Sequence, residues 1–275
     1  MRTVTLVGAG GKMGNRITDN LKDSEYQMFY LEVSSTGIED LQEKGLSVSK
    51  QEDAIPQSDL VILAVPDIFI GKVSAGIVPQ MKSGAILLAL DPAAPLAGHL
   101  PKRDDLTYMV VHPCHPSVFN YEPTEEAHRD YFGGITAKQN MVCALMQGPE
   151  DHYSIGETVS KKMFAPIINC HRVTVDQMGI LEPALSETLC ATCLSVIKKG
   201  MEEAVRRGVP EAAARDFVLG HINVELAILF GQTSAALSDA AQKAVDQAES
   251  VLFKEDWKKI FEPENVQQQI LSITN

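Results

Sequence analysis

The chain has 275 residues, 45% of them hydrophobic, enough for one large domain or two ordinary ones with full cores. Its 36 acidic residues outnumber 24 Lys and Arg, and the net charge of −12 argues against nucleic acid or an anionic membrane as a partner. Five cysteines, an odd number without framework spacing, read as reduced thiols in a cytoplasmic protein. Arg2-Thr3 runs straight into a short apolar stretch, so no signal peptide is expected, and no apolar run is read as long enough to cross a membrane.

The first element is an apolar run, a glycine-rich turn and a helical pattern, RTVTLVGAGGKMGNRI. Gly8, Gly10, Gly11 and Gly14 let the backbone turn tightly and approach a pyrophosphate. The helix N-terminus at Lys12, Met13 and Gly14 offers free amide hydrogens and a positive dipole end. Glu32 closes the next apolar run, YQMFYLE, 18 residues after Gly14. An acid there is placed to accept both hydroxyls of an adenosine ribose, which completes a dinucleotide fingerprint. The bland alternative is a glycine-rich turn with no ligand. Between Val33 and Glu43 there is no basic residue to attract a 2′-phosphate, which favours NAD over NADP.

Further apolar strands are expected at Leu60–Val65, Ala85–Leu90, Tyr108–Val111 and Met141–Met146, with another in APIINCHRVT. Helix-length patterns separate several of them. The implied fold is α/β, a Rossmann-type doubly wound parallel sheet covered on both faces. SDLVILAVPD leaves the sheet at Val65, Pro66 and Asp67, which are therefore expected to line the cofactor cleft at the carboxyl ends of the strands. GAILLALDP leaves it at Asp91-Pro92.

After Asp176 strand signals stop. One long helix is read from near Pro183 to Gly208, a second from Pro210 to Gly231, a third through TSAALSDAAQKAVDQAESVLF, and then a short tail. The expected division is 1–175, a nucleotide-binding domain, and 176–275, an all-helical domain. The helical part is apolar for its size and is expected to join two copies of the chain as a homodimer.

Two segments carry candidate chemistry. HPCHP places His112 and His115 at the end of a strand, in a loop stiffened by two prolines. Imidazole is a common metal ligand and the usual acid–base group near neutral pH. EPALSE places Glu182 and Glu187 about 140° apart if that stretch is an α-helix, so both cannot face one small site. His112 with Glu182 would make a nitrogen and oxygen site for a divalent cation such as zinc or magnesium. His115 and Glu187 are the candidate acid–base residues. The alternatives are a rigid loop with one solvated histidine, and two carboxylates that only complement a helix dipole.

The order of GxGGxMG, acid, AVPD strand exit, site loop and helical C-terminal domain resembles the superfamily of 6-phosphogluconate and β-hydroxyacid dehydrogenases. MEEAVRRGVPEAAARDFVLGHINVELAILFG is similar to the helical domain of ketol-acid reductoisomerases, with Phe217 and His221 on its pattern. Val218 and Ile222 stand where that domain has metal-binding carboxylates. HPCHP and GILEPALSET resemble a bacterial group of short oxidoreductases, the D-apionate oxidoisomerase type. This resemblance implies NAD-dependent oxidation of a branched sugar acid coupled to an acyl shift. The superfamily often places a lysine base four residues after a glycine near the first C-terminal helix. Here Pro183 follows Gly179 at that spacing, and no lysine occurs until Lys198. The expected function is thus an NAD-dependent oxidoreductase acting on a small hydroxylated acid with a divalent metal. The alternatives are a metal-free prephenate- or imine-type enzyme and a non-catalytic NAD sensor.

Overall fold

The computed structural model describes residues 2–274. A seven-stranded sheet organises the first part of the chain: β1 (Thr3–Val7), β2 (Gln27–Leu31), β3 (Leu60–Leu63), β4 (Ile86–Ala89), β5 (Thr107–Pro113), β6 (Gln139–Gln147) and β7 (Ile167–Arg172). Their spatial order is β2-β1-β3-β4-β5-β6-β7. Every residue of β3, LVIL, and of β4, ILLA, is buried, as a strand covered on both faces requires. On one face Leu6, Ile62, Leu88 and Val111 pack against Ile17 and Leu21 of α1 (Lys12–Leu21). On the other, Val61, Leu63 and Leu87 pack with Ile70 and Ile77, which a helix beginning at Asp67 supplies.

The sheet departs from the all-parallel expectation at one place. β6 runs antiparallel to β5, with His112 opposite Val142 and Pro113 opposite Met141. Residues 114–138 contain only a five-residue helix, Glu125–Arg129, and no crossover, so the chain re-enters at the end it left. β7 is parallel to β6, joined by the helix Glu150–Met163.

The long C-terminal helix begins earlier than the proline indicated. Thr174 and Gln177 form a capping box, and helix runs from Val175. Pro183 lies inside a π-helical segment, Ile180–Ala191. A proline inside an α-helix loses a hydrogen bond and clashes with the preceding turn. Here the chain winds in wider i→i+5 turns of a kind often found at functional sites. Residues five apart then stack close to one face, so the 140° between Glu182 and Glu187, counted on α-helical turns, does not hold.

The continuous helix Val175–Arg206 is 32 residues, and one window of it has mean hydropathy 1.4. By length and composition it could cross a membrane, contrary to the expectation above. Its start is tied to the sheet, where Val175 and Met178 pack on Val110 and Ala144.

Two compact units emerge. The first runs to Glu182 and takes in the residues from Gln267 onward; the second is Pro183–Val266. The boundary thus falls seven residues beyond the one expected. The expected tail is a helix, Pro263–Thr274, begun by proline and buried at Val266, Ile270 and Thr274. The second unit holds helices Thr192–Arg206, Glu211–Leu229 and Asp239–Leu252. Among them only Ala214 is buried.

Candidate active site

The glycine turn has the geometry that close backbone approach demands. Gly8 has φ +79°, and a Cβ there would lie 2.4 Å from the Ala64 carbonyl oxygen. A Cβ on Gly14 would lie 1.9 Å from the Gly8 carbonyl oxygen, and one on Gly10 would meet Gly37. Gly11 caps α1, which opens with Lys12 and Met13. Val65 and Pro66 leave β3 beside this turn.

Glu32 is fixed in place. One oxygen accepts the Gly10 N–H at 2.8 Å, and the other accepts Val33 and Ser34 N–H at 2.8 and 2.9 Å. Burial by itself would raise its pKa. The three amides outweigh burial and hold it below the ordinary carboxylate range. Of about four acceptor positions on a carboxylate, about one is left for a ribose hydroxyl, fewer than the two expected.

Adjacent strand exits bring a second cluster together. Asp91 follows β4, His112 lies in β5 and Glu182 lies in the π-helical segment. One ligand atom from each lies within 4.8 Å of the others. His112 Nδ1–H donates to the Leu90 carbonyl at 2.8 Å, and Nε2 faces Glu182 Oε2 at 2.8 Å. With Nδ1 holding the proton, a neutral imidazole has only a lone pair to offer the carboxylate. The contact requires a proton or a cation between them. Burial opposes charge on His112, yet the Glu182 bond and charge, with Asp91 behind, lift its pKa above the ordinary value. Burial, then the charge of Asp67, pushes Asp91 up to about 7, although the Ala93 N–H at 2.7 Å opposes this. Asp67 is also raised, by burial and then by Glu182. Three acids around one imidazole are over-negative. A divalent cation, if held there, would relieve that charge and replace the proton, and a bond from Nδ1–H to a carbonyl is the usual outer support of a metal-bound histidine.

The structure therefore joins His112 and Glu182 as the sequence reading did, and adds Asp91. Asp91-Pro92 was visible as a strand exit, but not that it lies beside His112. Asp67, at the strand exit next to the glycine turn, is outside the donor trio and couples to it through charge. His115 lies in the following loop, its ring edge-on to His112 with centroids 6.1 Å apart. Glu187, five residues after Glu182 in the π-helical segment, is exposed and falls in the second unit. His221 stacks on Phe217 at 4.0 Å and bonds its carbonyl, a local contact within one helix.

Residues 1–118 match the family described as acetohydroxy acid isomeroreductase, NADPH-binding domain. Residues 120–274 match phosphogluconate dehydrogenase (decarboxylating), C-terminal. A D-apionate oxidoisomerase from Cupriavidus necator is 51% identical, with 98% of this chain and 99% of the relative covered. One from Rhizobium rhizogenes is 51% identical with both chains fully covered. The crystal structure of a semialdehyde dehydrogenase NAD-binding protein from Cupriavidus necator, in complex with calcium and NAD, superposes with TM-score 0.98, 50% identity and full coverage of both chains.

Proposed function

The chain belongs to the D-apionate oxidoisomerase family, within the 6-phosphogluconate and β-hydroxyacid dehydrogenase superfamily, and from that premise we propose an NAD-dependent oxidoisomerase of a branched sugar acid, using a divalent cation at Asp91, His112 and Glu182. The observation that carries the metal is the cluster of one imidazole and two carboxylates with donor atoms within 4.8 Å. Such a donor set accepts zinc or magnesium, and the crystallised relative holds calcium. The test is metal content of the purified protein together with NADH formation from D-apionate before and after chelation.

Each side chain then has a task. Gly8 to Gly14 and the amide end of α1 receive the pyrophosphate, and Glu32 meets the adenosine ribose. Asp67 keeps the cluster negative. His115 takes the proton of the substrate hydroxyl. When bound, the cation would polarise the substrate oxygens and NAD would accept the hydride. The ketone so formed would accept the migrating carbon: its bond to the adjacent hydroxyl-bearing carbon breaks as the bond to the ketone carbon forms. The hydroxyl left behind gives up its proton to become the new ketone, the former ketone oxygen takes a proton, and no further oxidant is needed.

The match to an NADPH-binding domain makes cofactor choice a sharp test. Glu32, held ionised by three backbone N–H groups, repels a 2′-phosphate. NAD is expected to bind at least about tenfold more tightly than NADP, about 1.4 kcal/mol. Calorimetry that gives equal dissociation constants contradicts this.

The second unit supports a homodimer through its helices. Phe217, Leu229, Phe230, Val251 and Leu252 are all more than half exposed. A second copy, rather than a membrane, is the proposed cover, in the cytoplasm, where free cysteines stay reduced. Light scattering at micromolar concentration is expected to give twice the chain mass. A monomer under those conditions contradicts the proposal.

A further inference from the structure

His115 is the one non-glycine residue with positive φ among the described residues, at 60°. In that conformation its Nδ1 lies 2.8 Å from the Phe132 carbonyl oxygen. A carbonyl only accepts, so Nδ1 carries the hydrogen. The Phe132 ring stands edge-on to the imidazole, centroids 6.1 Å apart. Phe132 is itself gripped from the cofactor helix. Lys12 Nζ lies 4.4 Å and the Arg16 guanidinium 5.0 Å from its ring centroid. Asn20, a further four residues along α1, donates to the Gly134 carbonyl at 3.0 Å. Lys12, Arg16 and Asn20 are each four apart and form one stripe of α1. From the loop side, Asp130 Oδ2 accepts the N–H groups of Ile135, Thr136 and Ala137, closing the backbone around Phe132.

We infer that Phe132 is a positioning residue for the proton transfer at His115. Its carbonyl selects the tautomer, and its ring ties the loop to the helix that begins the cofactor site. With Nδ1 protonated, the one lone pair of a neutral His115 is on Nε2, so a single nitrogen receives the hydroxyl proton. The cation–π grip sets that nitrogen relative to α1, and hence to a dinucleotide at its N-terminus. Phe132 is 47% exposed and belongs to none of the sheet-domain core clusters, so truncating its ring leaves the fold intact. This role rests on His115 being the base.

The experiment uses the full-length protein with NAD and magnesium, labelled with nitrogen isotope in histidine. NMR at a pH where His115 is neutral reads its tautomer, the signal being assigned by comparison with His115→Gln. Wild type is expected to hold the hydrogen on Nδ1. Phe132→Ala keeps the backbone carbonyl but loses the ring that anchors it to Lys12 and Arg16, so the carbonyl is expected to shift from His115 Nδ1, the Nε2–H form to appear and kcat to fall by about tenfold or more, with KM for NAD within about threefold. Phe132→Tyr, which keeps the ring, restores both. Retention of the Nδ1–H tautomer in Phe132→Ala overturns the proposal, whatever the rate. So does a wild-type kcat in that variant. Normal turnover by His115→Ala removes the underlying reading, and does so independently of any tautomer signal.

Discussion

Asp91→Asn, His112→Ala and Glu182→Gln are each expected to lose bound metal and at least about 100-fold in turnover, about 2.7 kcal/mol of barrier. The NAD dissociation constant should stay within about threefold, under 1 kcal/mol. The three side chains supply one imidazole nitrogen and two carboxylate oxygens, so removing any one strips the site of a third of its protein ligands. The glycine turn and Glu32 are untouched. Asp91→Asn also separates chemistry from folding. A carboxyl whose folded-state pKa is raised to about 7 costs stability at all pH values above its unfolded pKa. That cost grows as pH rises toward 7 and is complete above it. Asn removes the charge and keeps an oxygen for the Ala93 N–H. Metal-free Asp91→Asn should therefore melt no lower than metal-free wild type at pH 8, although it is inactive. Calorimetry and metal analysis on the three variants check this. Normal turnover in any of them contradicts the site.

His115→Ala is expected to lose roughly 10²- to 10⁴-fold in kcat, the usual range for a positioned general base. Unlike the ligand variants it should keep its metal, and like them it should keep its NAD affinity. His115 is outside the donor trio, and its own contacts are to Phe132 and the edge of His112. The distinguishing measurement is metal content beside kcat. Loss of metal in His115→Ala would make it a ligand rather than a base, and an unchanged kcat would remove it from the mechanism.

The parts of this architecture legible in the sequence are those coded locally. LVIL and ILLA read as buried strands because both faces are covered, and the glycine turn with Glu32 reads as a cofactor end because its parts have fixed spacing. His112 and Glu182 were paired on chemistry and on their places at a strand end and beside a proline. Asp91 was missed as a ligand because the three donors converge only through the strand order β3-β4-β5, which no local pattern carries. The antiparallel β6 was hidden because its apolar run looks the same in either direction. Glu182 was placed at a helix start because Pro183 favours that position. The structure instead winds π-helical turns around the proline. The last helix reads as a tail in the sequence because only Val266, Ile270 and Thr274 of its twelve residues mark a buried face. Phe132 gave no signal at all, since its role comes from a carbonyl and a ring that meet His115 and α1 across the loop.

The most direct test of the central claim is NADH formation by the purified protein from carbon-labelled D-apionate, with the product skeleton read by NMR before and after chelation. The account predicts NADH, a product with one acyl carbon moved, loss of both on removing the divalent metal, and recovery when metal is returned. Undiminished NADH formation by thoroughly chelated, metal-free protein would contradict it.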